Sequence, residues 1–434
     1  MNLRTTSRAV LCLAALLCMS MFVACGGGGG TKTQPPVTLP ATIPVTGPTV
    51  AGAEHVDENV TALLRKWNVP GAAVAVAKNG KLVLARGYGY SDLEAQRPMQ
   101  PDAMFRIGST SKVLTAVAIL QLVEQGKLSL DAKFLDVLTD YTLPANADAR
   151  LRIITIRNLL QHSGGWDRQI SGDPIDRQVE IARALGVTAP AGCSDMIRYM
   201  LGKPLDFDPG TRWAYSNFGY CILGRVVEKV SSEKYELYVR NHILEPIGIH
   251  GMYIGTSRQG RQGQYEVKYY DPTSLVPSVF PGEGSVPMQY GGFEMLDAPG
   301  GWIGSPIDLV RFMTALDGSR TNSLLKPETM ALMTANPGLP GTGPGWWYGF
   351  ALFVGPSPDL WCHGGSIPGS ETQLCRDPNG YVYAIISNSR TASLPSFAPE
   401  LEAVVPNALT SGFGGSTTDL FPQFPSPVMP PSSQ

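Results

Sequence analysis

Ser109 stands three residues ahead of Lys112 in the run Phe105-Arg106-Ile107-Gly108-Ser109-Thr110-Ser111-Lys112. On a helix, side chains at i and i+3 share one face, so an amine at 112 can reach a hydroxyl at 109. An amine that takes up the hydroxyl proton leaves an alkoxide, a nucleophile for an acyl carbon. Two further groups carry the types such a reaction needs. Tyr215 and Asn217, in Trp213-Ala214-Tyr215-Ser216-Asn217-Phe218, offer a phenol for proton transfer and an amide for orientation. His363-Gly364-Gly365-Ser366 offers a strand whose glycines permit close approach, with an N–H beyond them able to join that of Ser109 around an oxyanion.

The elements that must position these groups are legible around each. Val113, Leu114, Val117, Ile119, Leu120, Leu122 and Val123 recur at helical spacing until Gly126, which predicts a buried helix with Ser109 at its first turn. A helix N-terminus supplies free N–H groups and positive potential, both favouring an alkoxide. Ser111 points elsewhere and is the poorer nucleophile. Ser231 with Lys234 and Ser323 with Lys326 repeat the spacing, but the first falls at a helix C-terminus and the second runs into Pro327. Tyr215 lies in a loop between Pro209-Gly210 and a helix starting near Phe218, and His363 lies at the end of a strand.

Residues 1–24 read as a signal peptide: Arg4 and Arg8, an apolar run from Ala9 to Val23, then Ala24 before Cys25. The small-residue-then-Cys ending is similar to the lipobox of bacterial lipoproteins, which implies lipid attachment at Cys25 and a membrane-anchored protein on the extracytoplasmic side. Residues 25–52, rich in Gly, Pro and Thr, read as a flexible tether, and residues 411–434 as a disordered Pro/Ser-rich tail. Residues 53–410 remain as the folded domain. Formal net charge moves from −2 to −4 when Arg4 and Arg8 leave, with no basic stripe, which argues against nucleic acid as a partner. Export permits disulfides, and Cys362–Cys375 across a turn is a better candidate pair than Cys193–Cys221. No spacing of Cys or His suggests a metal site, and no cofactor motif is present.

The domain opens with a helix over His55–Trp67 and two strands, Ala72–Ala77 and Lys81–Tyr88, joined by Asn79-Gly80, a hairpin dipeptide. The pattern is mainly helical over approximately 113–300, with helices over Ile156–Gln161, Asp195–Leu201, Phe218–Val230 and Glu233–Leu244. Strands return over Trp347–Val354, Leu360–His363, Thr372–Arg376 and Tyr381–Asn388, before a helix near Pro399–Leu409. Strands at both ends with helices between predict an α/β (α+β) fold: one antiparallel sheet built from both chain ends, flanked by helices, with an inserted mainly helical subdomain.

In this order, Ser109-x-x-Lys112, Tyr215-Ser216-Asn217 and His363-Gly364-Gly365 resemble the three motifs of the serine β-lactamase and penicillin-binding protein superfamily. The Tyr-x-Asn form is similar to the branch of class C β-lactamases, D-alanyl-D-alanine carboxypeptidases and related esterases. The likeness runs from about His55 to Leu409 and includes Leu159 to Gly164, Pro209-Gly210 and Pro299-Gly300-Gly301-Trp302. It implies an acyl-enzyme on Ser109, with Lys112 and Tyr215 as a proton-transfer pair. It further implies that Asn217 contacts the substrate or holds Lys112, that His363, Gly364 and Gly365 contact substrate, and that the Ser109 and Ser366 amides form an oxyanion hole. His162 is read as an architectural, buried histidine. β-Lactamases of this branch carry Lys-Thr-Gly as their third motif; His363-Gly364-Gly365 lacks both carboxylate-binding side chains. That departure favours an esterase or amide/peptide hydrolase, with a small-molecule or peptide acyl substrate, over a carboxypeptidase or β-lactamase. A non-catalytic lipoprotein binding cell-wall fragments is the alternative of another class. Trp166, Trp302, Trp346, Trp347 and Trp361 suggest an aromatic-lined pocket. Oligomeric state is not encoded in any of these features.

Overall fold

A computed structural model describes residues 38–271, 275–292, 296–391, 394–411 and 413–428. The expected signal peptide and Cys25 lie outside them. One antiparallel sheet organises the chain. Its strands run in the order Val45–Thr46, Lys81–Asp92, Gly71–Lys78, Tyr381–Ser387, Ser370–Arg376, Trp361–Ile367, Phe353–Val354 and Trp347–Tyr348, with Arg97–Pro98 paired to Lys81–Asp92. N-terminal and C-terminal strands meet where Ala72–Lys78 pairs with Tyr381–Ser387, so the sheet is assembled from both ends of the chain. The Asn79-Gly80 turn has positive φ at both positions, 51° and 76°, as a two-residue hairpin of this twist requires.

Helices Glu54–Trp67 and Leu394–Leu409 pack together beside the sheet, while Pro306–Leu316 packs against Gly71–Lys78 and Tyr381–Ser387. The predicted 233–244 helix divides into Tyr235–Val239 and a wider π-type turn, Arg240–Leu244. At the centre lies Ser111–Glu124, preceded by a tight turn over Gly108–Thr110. This helix has apolar residues on every face and is buried through Leu120, with its polar members Ser111, Lys112 and Thr115 each hydrogen-bonded inside the core.

Three expectations are corrected. The tether does not extend to residue 52: Val45–Thr46 pairs with Gly87 and Tyr88, and Ile43 and Val50 are buried. The tail is folded over 413–428, where Phe413, Leu420 and Phe421 are buried and Leu420 N–H donates to Leu82 O at 2.9 Å. The two segments cover different ends of one edge strand, Lys81–Asp92, whose backbone would otherwise stand open for pairing. Finally, Trp347–Val354 is a tight hairpin, not one strand, pairing Trp347 with Val354 and Tyr348 with Phe353. Gly349 faces Met333 O so closely that a Cβ there would lie 2.2 Å from it, and the chain turns back at that contact.

Candidate active site

From Ala103 to Leu120 every residue is buried except Ser109. The turn carrying it is fixed from several sides. Ile107 N–H donates to Trp302 O at 3.0 Å, Ser370 Oγ donates to Arg106 O at 2.7 Å, and Ser111 Oγ accepts from Trp302 N–H at 3.3 Å. Ser111 is thereby turned into the core, as expected of the poorer nucleophile. The hydroxyl at 109 is held still and left open.

Lys112 Nζ is wholly buried and lies 3.1 Å from Ser109 Oγ, 2.7 Å from Asn217 Oδ1 and 2.6 Å from Pro299 O. Two of these three partners, the amide oxygen and the backbone carbonyl, can only accept. They therefore hold two of the amine's hydrogens in either charge state. In the neutral amine the remaining position is a lone pair, directed to Ser109; in the ammonium it is a third N–H. This geometry would let Lys112 take the Ser109 proton and give one back.

Ser216 Oγ caps the helix Asn217–Ser231 by accepting from Gly219 N–H at 3.2 Å, so the cap is Ser216 and Asn217 begins the helix. Tyr215 is bracketed by one residue. His162 O accepts from Ala214 N–H at 2.8 Å and His162 Nδ1 accepts from Ser216 N–H at 3.2 Å. The His162 ring also lies tilted against that of Tyr215, with centroids 4.3 Å apart, and the His162 backbone holds the left-handed conformation, φ 53°. Burial, helped by the nearby charge of Lys112, pushes its imidazole well below the usual range, so it remains neutral and structural, as the architectural reading has it. Two basic groups lie near the Tyr215 ring, Lys112 Nζ at 4.9 Å and Arg168 Cζ at 4.7 Å from its centroid. Both attract negative charge that develops on the phenol.

Gly364 and Gly365 lie inside the strand Trp361–Ile367, which continues past the expected boundary at His363. The strand passes hard against the nucleophile turn. A Cβ on Gly365 would meet Ile107 O at 2.0 Å and Ser109 N at 3.0 Å; one on Gly108 would meet Ser366 N at 3.1 Å. The backbones bearing the two amides assigned to the oxyanion hole are therefore adjacent. His363 is not a surface contact. Its ring is fully enclosed, with Nδ1 2.6 Å from Gly364 O and Nε2 3.1 Å from Tyr348 Oη. A carbonyl can only accept, so Nδ1 carries the hydrogen and the phenol donates to Nε2. Burial and the Lys112 charge push this imidazole down to about 3. The expected substrate contact of His363 is thus revised to a neutral clamp on the strand.

All of Ser109, Lys112, Tyr215 and Asn217 converge, with Gly364, Gly365 and Ser366 alongside. The aromatic-pocket expectation fits less well: Trp302 is wholly buried beside Tyr235, and Trp166 packs on Phe218. Trp213 and Tyr348, not singled out from sequence, are the aromatic neighbours of His162 and Phe353. Asp173 was also missed; its Oδ2 accepts from Asn217 Nδ2 at 2.9 Å. No motif marks it, because it comes from a loop 44 residues upstream. Among the described residues no group of three or more His, Cys, Asp or Glu side chains could hold a metal ion, and no helix is long and apolar enough to cross a membrane.

This arrangement, on this sheet, defines a serine hydrolase of the β-lactamase and penicillin-binding protein type. Residues 56–405 match the Beta-lactamase family model, and the chain belongs to that family. Esterase EstB of Burkholderia gladioli is 30% identical over 332 residues, spanning 70% of this chain and 80% of that protein. The octameric penicillin-binding protein homologue from Pyrococcus abyssi has a TM-score of 0.64 at 25% identity, covering 82% of this chain and 77% of that one. D-amino acid amidase from Ochrobactrum anthropi SV3, at 20% identity and a TM-score of 0.64, shares the fold over 83% of this chain and 97% of its own.

Proposed function

We propose that this hydrolase is an esterase, or an amide hydrolase of similar acyl substrates, working through an acyl-enzyme on Ser109. The observation that carries the reading is the buried Lys112 amine 3.1 Å from the Ser109 hydroxyl, the one side chain of its turn that is not buried. Neutral Lys112 takes the Ser109 proton as Oγ bonds to the acyl carbon, and the carbonyl π electrons move to oxygen. The amides of Ser109 and Ser366 hold that oxyanion. When the oxyanion re-forms the carbonyl, the bond to the leaving oxygen or nitrogen breaks and Tyr215 gives its phenol proton to that atom, leaving a phenolate near the Lys112 ammonium. Water then attacks the ester as the Tyr215 phenolate takes its proton; when this second oxyanion re-forms the carbonyl, the bond to Ser109 Oγ breaks and Lys112 returns its proton to that oxygen.

Esters are favoured over β-lactams because the third motif brings no cationic or hydroxyl side chain for a substrate carboxylate, and its one ring is enclosed. The likeness to Esterase EstB supports the same choice. Short-chain p-nitrophenyl esters, a chromogenic cephalosporin and a D-alanyl-D-alanine peptide should be compared side by side. Ester turnover is expected to lead, and to vanish in Ser109→Ala; cephalosporin leading would reverse the assignment.

Export and lipid anchoring through Cys25 are part of the proposal, supported by the sequence of residues 1–25. Cys25→Ser should move the protein from the membrane fraction to the soluble one; unchanged fractionation would remove the anchor.

A further inference from the structure

Asp173 is buried, with 7% of its surface exposed, and begins the turn Pro174–Arg177. Its Oδ1 accepts from Ile175 N–H at 3.3 Å, the ordinary work of a capping aspartate. Its other oxygen faces the active site: Oδ2 accepts from Asn217 Nδ2 at 2.9 Å and lies 3.4 Å from Asn217 N, which also donates to it. Asn217 Oδ1 in turn accepts from Lys112 Nζ, and Lys112 meets Ser109. A carboxylate, an amide, an amine and a hydroxyl thus form one continuous line.

An asparagine amide has two orientations of nearly equal size. Turned the wrong way, Asn217 would set an N–H against the Lys112 amine, which would lose an acceptor and its fixed direction toward Ser109. A carboxylate accepts and never donates, so it admits only the orientation with nitrogen toward Asp173 and oxygen toward Lys112. Its negative charge also aligns with the amide dipole and reinforces the oxygen that faces the amine.

We propose that Asp173 is a positioning residue of the active site, acting through Asn217 to direct Lys112 at Ser109. It touches neither the nucleophile nor the amine directly. The proposal rests on the Ser109–Lys112 reading above and adds a residue to it.

The capping and positioning roles separate experimentally. Asp173→Ser keeps a short oxygen for Ile175 N–H but cannot extend to Asn217. Labelling of Ser109 by a fluorophosphonate, followed by intact mass, measures nucleophile activation without assuming a natural substrate. Asp173→Ser is expected to slow labelling about 10- to 100-fold, with the melting temperature little changed. With a p-nitrophenyl ester, kcat should fall and KM should hold. In an Asn217→Ala background the same change should have less than about a twofold effect, because the intermediary is already gone. Equal slowing in both backgrounds overturns the proposal, since Asp173 would then act without Asn217. Should the serine variant fail to accumulate, Asp173→Asn enters the same cycle. Its single oxygen cannot serve both Ile175 and Asn217, so non-additivity is again the expected result and additivity the refuting one. Failure of the wild type to label would instead strike the Ser109 reading, and this proposal with it.

Discussion

Gly365 passes so near Ile107 that a Cβ on it would sit 2.0 Å from the Ile107 carbonyl oxygen. Gly365 is not in the left-handed region, so the restriction is contact and not backbone conformation. Gly365→Ala must push the strand Trp361–Ile367 off the nucleophile turn and separate the amides of Ser109 and Ser366. Loss of one oxyanion donor costs about 10²–10³ in kcat, and the expected loss here is of that order. Ester turnover and fluorophosphonate labelling should fall together. Near-wild-type activity would mean that the Ser366 amide is not part of the oxyanion hole.

His363 is enclosed by Tyr348 and Phe353, and both burial and the Lys112 charge oppose a proton on it. His363→Lys would restore the first residue of the family's usual third motif. In this site it places a second ammonium in the same enclosed space, near Lys112. The expected result is a less stable protein with lower ester turnover and no gain with cephalosporins, measured by thermal unfolding and initial rates. A rise in cephalosporin hydrolysis would show that the lysine reaches the substrate side, and would reopen the role assigned to position 363.

Much of the site was legible because its chemistry is local. Ser109 and Lys112 sit one helical turn apart, and the glycines at 364 and 365 declare a close approach wherever they lie. Strands at both chain ends told the sheet's composition for the same reason. The contacts that fixed roles were not local. Asp173 meets Asn217 from another loop, and His363 turns inward because Tyr348 awaits it on a hairpin that the apolar run Trp347–Val354 disguises as one strand. Pro-rich ends read as unstructured because they lack periodicity. Yet a two-residue strand and three buried aromatic or leucine side chains suffice to dock them, and so short a pairing leaves no periodic trace.

Both candidate disulfides are formed, Cys193–Cys221 and Cys362–Cys375. The second joins directly opposed residues on paired strands, and the first ties the helix Cys193–Met200 to the helix begun by Asn217. A sequence separation of 28 residues corresponds to about 3–4 kcal/mol on the chain-entropy view. Cys193→Ala with Cys221→Ala should therefore lower unfolding free energy by about 2–4 kcal/mol. Below the unfolding transition, ester kcat should be retained, since the helix start is also held by Ser216 and Asp173. Thiol counting by mass before and after reduction checks the pairing, and free thiols at Cys193 and Cys221 before reduction would refute it.

Glu371 faces Ser366 across the strand pair and is buried, with its carboxyl pushed up to about 8. Burial is the main cause; Ser366 and Arg390 pull the other way, and Glu402, itself pushed up to about 7 by burial, adds to the rise. Unfolded, Glu371 titrates near 4.5. Between that value and about 8 the folded chain keeps a proton that the unfolded chain has released. Stability is therefore fully present below the unfolded value and is lost as pH rises through the folded one. Glu371→Gln keeps the neutral shape and removes the titration. At about pH 8.5 the variant should be more stable than the wild type by on the order of 2–4 kcal/mol, and near pH 5 the two should be similar. Catalysis should respond to the same proton. An ionised Glu371 beside Ser366 adds negative charge where the oxyanion develops, so wild-type kcat/KM should fall above about pH 8, and that limb should be absent in Glu371→Gln. A variant destabilised equally at both pH values would show that the carboxylate form is required, and that the proton at Glu371 is not what links the oxyanion strand to pH.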